Sequence, residues 1–352
     1  MSVERAVPSI TRAVGLFFER TMYSIHKFGY ETIIERDFLQ YCGSPVSALL
    51  FNPSYQWFVY EKYAIAYFSY KNTLISIGGL LADTANKPKI LKYFLDFCNE
   101  NKLNYMFLHF ASEDIDFLNK EGVLVNQLGA SFVINYKKYS MQGKRFQQIR
   151  NKINKAKSKD IQVSEIKNQA SYLKVKNQLR IINNEWLNNK DAKLLKNIVI
   201  DFESIELGCD LHKIFVATHE EKIIAYIIYS KNFGTYDGWF HNLSRNTQDS
   251  PNGVMQLINK TAMETFGDFA YLSFGFTPLV DVTSKIKIKR SNIFNTIIKF
   301  LENRGGVVYP AKSQRQYKMS WRPQIIEPEY IAFPNKKALI SLYTLLKSTN
   351  SI

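Results

Sequence analysis

The sequence predicts an α/β protein in which one folding unit of strands and helices occurs twice. Three observations predict it. The 352 residues are 46% hydrophobic and 14% aromatic with only 22% charged, which is ample apolar material for buried cores. An order of hairpin, strand, helix and strand can be read from about residue 57 and again from about residue 213. The spacing of matched positions in the two copies is nearly the same.

Trp57 to Phe68, WFVYEKYAIAYF, reads as a hairpin broken by the polar pair Glu61-Lys62. Thr73 to Gly78 reads as a strand, and Asp83 and Thr84 lead to Lys87-Pro88, where proline suits a first helical turn. Ile90, Leu91, Phe94, Leu95, Phe97 and Cys98 recur at helical spacing, and Tyr105 to Phe110 reads as a buried strand. From Lys213, IFVATHEEKIIAYIIY gives a hairpin about Glu220-Glu221. TYDGWFHNLSR then gives a strand, SPNGVMQLINKTAMETFG a helix and FAYLSFG a strand. Ala66-Tyr67 answers to Ala225-Tyr226, Pro88 to Pro251, and Leu108 to Leu272, with separations of 22 against 26 residues and 20 against 21. The predicted organisation is residues 1–141 for the first unit, 142–165 for a basic connecting helix, 166–334 for the second unit and 335–352 for a helical tail.

Lys plus Arg number 46 against 31 acidic residues, a net charge of +15, which suits nucleic acid, phosphate-bearing ligands or an anionic membrane surface. Gln142 to Lys159 holds seven cations and no acid, with Phe146, Ile149 and Ile153 on one helical stripe. Seven unopposed cations repel one another, which favours a phosphate-backbone contact over a merely solvated helix. Cys42, Cys98 and Cys209 are too few and too scattered for a disulfide framework or zinc site and suit a reducing, cytoplasmic setting. Charged residues such as Glu4, Arg5 and Arg12 interrupt the N-terminus, so neither signal peptide nor membrane span is expected, and any membrane contact should be peripheral.

The second unit carries the candidate chemistry. A strand ending in His241-Asn242-Leu243-Ser244-Arg245 feeds a helix opening at Ser250-Pro251-Asn252-Gly253. A helix N-terminus favours phosphate, carboxylate or a developing oxyanion, and Arg245 adds a full charge. Ser273 to Leu279 ends the next strand with Gly275 at a place of close backbone approach or a simple turn. GxSxG, HExxH, the Walker sequence and a strand-borne GxGxxG are all missing. Of five scattered histidines, His241 alone stands beside this site and is the candidate for proton transfer.

These residues also carry a resemblance. Residues 60–334 resemble the C-terminal catalytic domain of the phosphatidylglycerol lysyltransferases, the multiple peptide resistance factor family, which has two tandem GNAT-like folds. Gly143-Lys144-Arg145 with Ile149-Arg150-Asn151 looks like the family's KGR…LR, and Asn184-Glu185-Trp186-Leu187 like its deWL. Asn242-Leu243-Ser244-Arg245 stands for DLMR, Ser250 to Met255 for aPnGvm, and Ser273 to Leu279 for sLGmaPL. Tyr317-Lys318-Met319-Ser320-Trp321-Arg322-Pro323 with Tyr330-Ile331-Ala332 is similar to the closing segment. The expected fold is thus two GNAT-like units, each a mixed sheet flanked by helices.

The resemblance implies transfer of an amino acid from aminoacyl-tRNA to the hydroxyl or amine of a lipid or small molecule. The ester is already activated, so no cofactor or metal beyond the aminoacyl-tRNA co-substrate is expected. Arg245, Asn242 and His241 are the expected catalytic residues. Trp186, Glu185, Asn252, Gly253, Ser273 and Gly275 are expected at the substrate, Trp186 either stacking on a base or filling core. Lys144, Arg145, Arg150, Lys152 and Lys318 are expected on tRNA. Two departures stand out: the family's aspartate in DLMR is Asn242 here, which weakens lysine as donor, and the lipid-modifying members carry an N-terminal multi-span region not seen in this sequence. An acyl-CoA-dependent N-acyltransferase is the alternative enzyme, although Asn246 to Asn252 lacks the Q/RxxGxG/A pattern. A non-catalytic basic module for RNA or membranes is the third reading.

Overall fold

A computed structural model describes residues 23–190, 193–200, 202–205, 207, 210–282, 288–303, 310–335 and 337–352. Cys209 lies outside them. The first unit runs β1 (Tyr23–His26), a short helix α1 (Tyr30–Ile34), the hairpin β2 (Gln56–Tyr60) and β3 (Tyr63–Tyr70), then β4 (Thr73–Ile77). It continues through α2 (Lys87–Glu100), β5 (Asn104–Leu108), α3 (Ile115–Lys120) and β6 (Leu124–Asn135). Proline stands in the first turn of α2, and the helix buries Ile90, Leu91, Phe94 and Cys98 against the sheet, as their spacing requires.

The basic helix α4 (Gln147–Lys157) leads to β7 (Gln162–Ile166) and the long α5 (Gln169–Asn189). The second unit then repeats the order with the hairpin β8 (His212–His219) and β9 (Lys222–Asn232), β10 (Gly238–Asn246), α6 (Val254–Thr265) and β11 (Tyr271–Pro278). Glu220 and Glu221 both take positive φ, 47° and 64°, which is the turn that matches strand twist in a two-residue hairpin. Helices α7 (Asn292–Asn303) and α8 (Ala311–Ser320), strand β12 (Ile325–Phe333) and helix α9 (Ala338–Ser348) complete the chain.

The twelve strands among the described residues form one sheet in the order β1-β2-β3-β4-β5-β12-β6-β11-β10-β9-β8-β7. Read inward from the two edges, each strand of the first unit faces its counterpart six numbers later, until the sixth strands cross over. β6, made by the first unit, pairs with β11 of the second, and β12 of the second pairs with β5 of the first. β6 and β12 pair with each other across the centre from Ile325↔Val133 to Phe333↔Leu124. Each half therefore completes its sheet with a strand from the other. The division at 141/142 follows β6 in sequence, but the hydrogen-bonded sheet continues across it.

Candidate active site

The parallel pairs at the centre of the two units differ. In the first, β4 and β5 stay in register over five positions, from Thr73↔Asn104 to Ile77↔Leu108. In the second, β10 and β11 pair at Gly238↔Tyr271, Trp239↔Leu272 and Phe240↔Ser273, then part. β10 remains with β9 as far as Asn246↔Ala225, and β11 remains with β6 as far as Pro278↔Gly129. Both strands are irregular just past their last shared pair. β10 bulges between His241 and Leu243, and β11 shifts register between Ser273 and Phe276. Gly275 makes this possible: its φ is +74°, and a Cβ there would sit 2.6 Å from the Phe240 ring. The Ser273 hydroxyl accepts the Gly275 N–H at 3.1 Å, holding the bulge. Parted edges inside a sheet leave backbone groups open to a short extended ligand.

His241 lies at this gap, partly buried, and faces α6. Asn259, fully buried on α6, organises its surroundings. The Asn259 amide donates to the Met255 carbonyl and to the Tyr317 hydroxyl, both at 2.8 Å, which fixes its orientation. Its Oδ1 then accepts from the Tyr229 hydroxyl at 2.9 Å and lies 3.1 Å from His241 Nδ1, so this nitrogen carries the proton and Nε2 is left as a hydrogen-bond acceptor. Burial, helped by the Lys318 charge, pushes the His241 imidazole down to about 3 and keeps it neutral.

Lys318 differs from its expected role. It is buried rather than on a tRNA-facing surface, and its Nζ donates to the carbonyls of Gly275 and Phe276, both at 2.9 Å. Burial lowers its ammonium to about 7, opposed by the buried Glu329 carboxylate. Two carbonyls satisfy the two N–H groups of a neutral amine, leaving its lone pair free to take a proton. Glu329 itself accepts from the Ser131 hydroxyl and lies 3.1 Å from His109 Nδ1.

The structure does not bring Arg245 and Asn242 together with His241. Tyr226 of β9 packs on Phe202, whose carbonyl accepts the Tyr172 hydroxyl of α5, whereas Tyr229 meets α6. Three residues apart on a strand, they mark opposite faces. Arg245 lies on the α5 face, where its Nε donates to Asn183 Oδ1 at 2.9 Å and its guanidinium stands 4.1 Å from the Trp186 ring centroid. In a regular strand His241 and Arg245 would share a face; the bulge at Asn242 reverses the alternation. The Asn242 side chain donates to the Ile200 carbonyl at 2.8 Å and accepts the Ile200 N–H at 3.2 Å. An aspartate has no donor for the first of these bonds. Glu185 accepts the Gln248 N–H at 3.1 Å, tying α5 to the loop before α6.

The N-terminus of α6 is closely packed. Gly253, φ +101°, comes so near α4 that a Cβ would lie 2.0 Å from the Lys152 carbonyl oxygen, while Asn252 is exposed. Phe146, at the start of α4, and Ile149 and Ile153 along it are buried as their spacing predicts. Lys144, Arg145 and Lys152 remain exposed, whereas Arg150 turns back to donate to the carbonyls of Met141 and Gly143, both at 2.8 Å. A separate open groove between β7, β8 and α5, near Asn168 and Ser171, contains none of the predicted residues. Asn259 and Tyr317 were not singled out as site residues from sequence. A mid-helix asparagine gives no local signal, although Tyr317 stands beside the matched Lys318.

The sequence model of the family described as phosphatidylglycerol lysyltransferase, C-terminal, matches residues 13–333. No curated protein matches the chain in sequence. Among solved structures, a C-terminal domain assigned to a lysylphosphatidylglycerol synthetase of Agrobacterium fabrum aligns with a TM-score of 0.70 and 15% identity, over 90% of this chain and 96% of that one. The L-PGS structure from Bacillus licheniformis aligns at 0.66 and 16%, over 92% and 99%. A Bacteroides thetaiotaomicron protein of unknown function aligns at 0.62 and 16%, over 89% and 100%. At these identities the structures show a shared fold. With the family matched over nearly its whole length, the chain belongs to the phosphatidylglycerol lysyltransferase C-terminal family and is an aminoacyltransferase that takes its amino acid from aminoacyl-tRNA.

Proposed function

We propose that the chain carries an amino acid from the 3′ ester of charged tRNA to the hydroxyl of an anionic lipid headgroup of the phosphatidylglycerol type, in the gap between β10 and β11. The observation that carries this reading is the parting of that strand pair beside Lys318, His241 and the Asn259–Tyr317 pair. The acceptor oxygen attacks the ester carbonyl carbon while its proton passes to the neutral Lys318 amine. Tyr317 accepts a hydrogen bond from Asn259, so its own O–H is free to donate to the oxyanion. Collapse of the tetrahedral intermediate breaks the bond to the ribose oxygen, which leaves with the proton from Lys318. His241, neutral and held by Asn259, positions the acceptor rather than carrying the proton, because a group titrating near the working pH is the better proton carrier. The ester supplies the driving force, so no cofactor beyond the tRNA co-substrate is needed.

Lys144 and Arg145 in the turn before α4, with Lys152 on it, hold tRNA phosphates close to the α6 N-terminus, and the site works on the cytoplasmic side, where charged tRNA is found. Among the described residues no helix is long and apolar enough to cross a membrane, so the lipid is met at a surface. The test supplies purified protein with charged tRNA bearing a labelled amino acid and phosphatidylglycerol vesicles. Label should move into lipid, and ribonuclease should abolish the transfer. Turnover of acetyl-CoA that ribonuclease leaves untouched would refute the proposal.

A further inference from the structure

We propose that helices α7 and α9 form a docking surface for an anionic lipid bilayer. Helix α9 carries apolar side chains on both its sides. Its inward side holds Ala338, Ser341, Leu345 and Ser348 with Leu342 packed against the core, while Leu339, Ile340 and Tyr343 are exposed by 59%, 63% and 53%. A surface helix in water normally turns a polar side outward. Beside it, α7 buries Phe294 and Ile298 and exposes Ile293 and Phe300, seven residues apart on one side, by 61% and 53%. These two neighbouring helices carry five of the ten exposed large apolar side chains among the described residues, so the apolar surface is concentrated rather than scattered.

The surrounding charge selects the occupant. Lys289, Arg290, Lys299 and Lys347 are exposed on or beside the two helices, against the half-buried Glu302 of α7, and residues 335–352 contain no acidic residue. A second copy docked through the same patch would set these cations against their own equivalents. A bilayer with negative headgroups offers both anionic partners and an apolar interior. At eleven residues α9 is about 16 Å long, against a hydrocarbon core of about 30 Å, so it lies along the surface rather than crossing it. The proposal concerns binding alone and stands whether or not aminoacyl transfer occurs in the β10/β11 gap.

The test is cosedimentation of the full chain with vesicles of phosphatidylcholine, pure or mixed equally with phosphatidylglycerol. Binding to the mixed vesicles should be at least about tenfold tighter and should weaken with salt. The double variant Ile293→Glu with Ile340→Glu should lose at least about tenfold of it, with an unchanged circular dichroism melt and tRNA affinity. That separates the patch from α4, whose cations the variant retains. Lys289→Glu with Lys299→Glu and Lys347→Glu should remove the preference for anionic lipid. Equal binding to both vesicle types, or full binding by the apolar double variant, would overturn the proposal. So would a wild-type dimer that ignores vesicles and that Ile340→Glu splits into monomers.

Discussion

Replacing Lys318 with methionine keeps the length of a buried side chain and removes its charge. In water a lysine titrates near 10.5; burial brings Lys318 down to about 7. That difference makes the charged form in the folded protein on the order of 5 kcal/mol less favourable than in solvent. The folded pKa lies below the unfolded one, so between pH 7 and 10.5 the unfolded chain binds about one more proton and stability rises with pH by about 1.4 kcal/mol per pH unit. Below pH 7 both states are charged and this contribution is lost. Lys318→Met removes the slope. Urea unfolding of both proteins at about pH 7.5 and pH 9 isolates it, because other groups cancel in the difference. Wild type minus variant should grow by about 2 kcal/mol across that interval. A difference constant within about 0.5 kcal/mol would refute the account of a buried, easily deprotonated lysine. The same variant should lose transfer activity, and wild-type transfer should rise with pH through about 7 as the amine becomes neutral.

Three further outcomes are expected. Glu329→Gln removes the carboxylate that favours charged Lys318, so the acid limb of the transfer-pH profile should move to lower pH; a limb that stays in place or moves up contradicts the coupling. Gly253→Ala places a Cβ against the Lys152 carbonyl at φ +101° and should cost at least about 2 kcal/mol of stability by urea unfolding, a loss under about 0.5 kcal/mol showing that α4 does not pack there. Neutralising Lys144, Arg145 and Lys152 to glutamine should reduce the salt slope of tRNA binding by about 2–3, whereas an unchanged slope would place the tRNA elsewhere.

The sequence is legible where a pattern is local. The Glu61-Lys62 break in Trp57 to Phe68, the helical spacing of Ile90 to Cys98 and the Glu220-Glu221 turn each specify their element within a few residues. The doubling is legible for the same reason. The crossing of β6 and β12 is not, because it depends on pairing residues almost two hundred positions apart. At the proposed site, the six matched segments include parts of β10, β11 and α8, but facing is set by one inserted residue. The bulge at Asn242 turns Arg245 away from His241, and no composition or spacing encodes it. Lys318 reads as one more cation in a basic chain until the fold buries it between two carbonyls. Asn259 is invisible for the opposite reason: one amide within a helix acquires meaning only from Tyr229, His241 and Tyr317, which arrive from three other elements.

Attack on the ester is proposed to take place at the opened strand pair of the second unit. The single-turnover rate of label transfer from bound charged tRNA, compared between wild type and Tyr317→Phe, tests it most directly. Loss of one oxyanion donor should slow the chemical step by about 100-fold with tRNA affinity unchanged. A rate equal to wild type, with the same amount of tRNA bound, would place the reaction outside this gap.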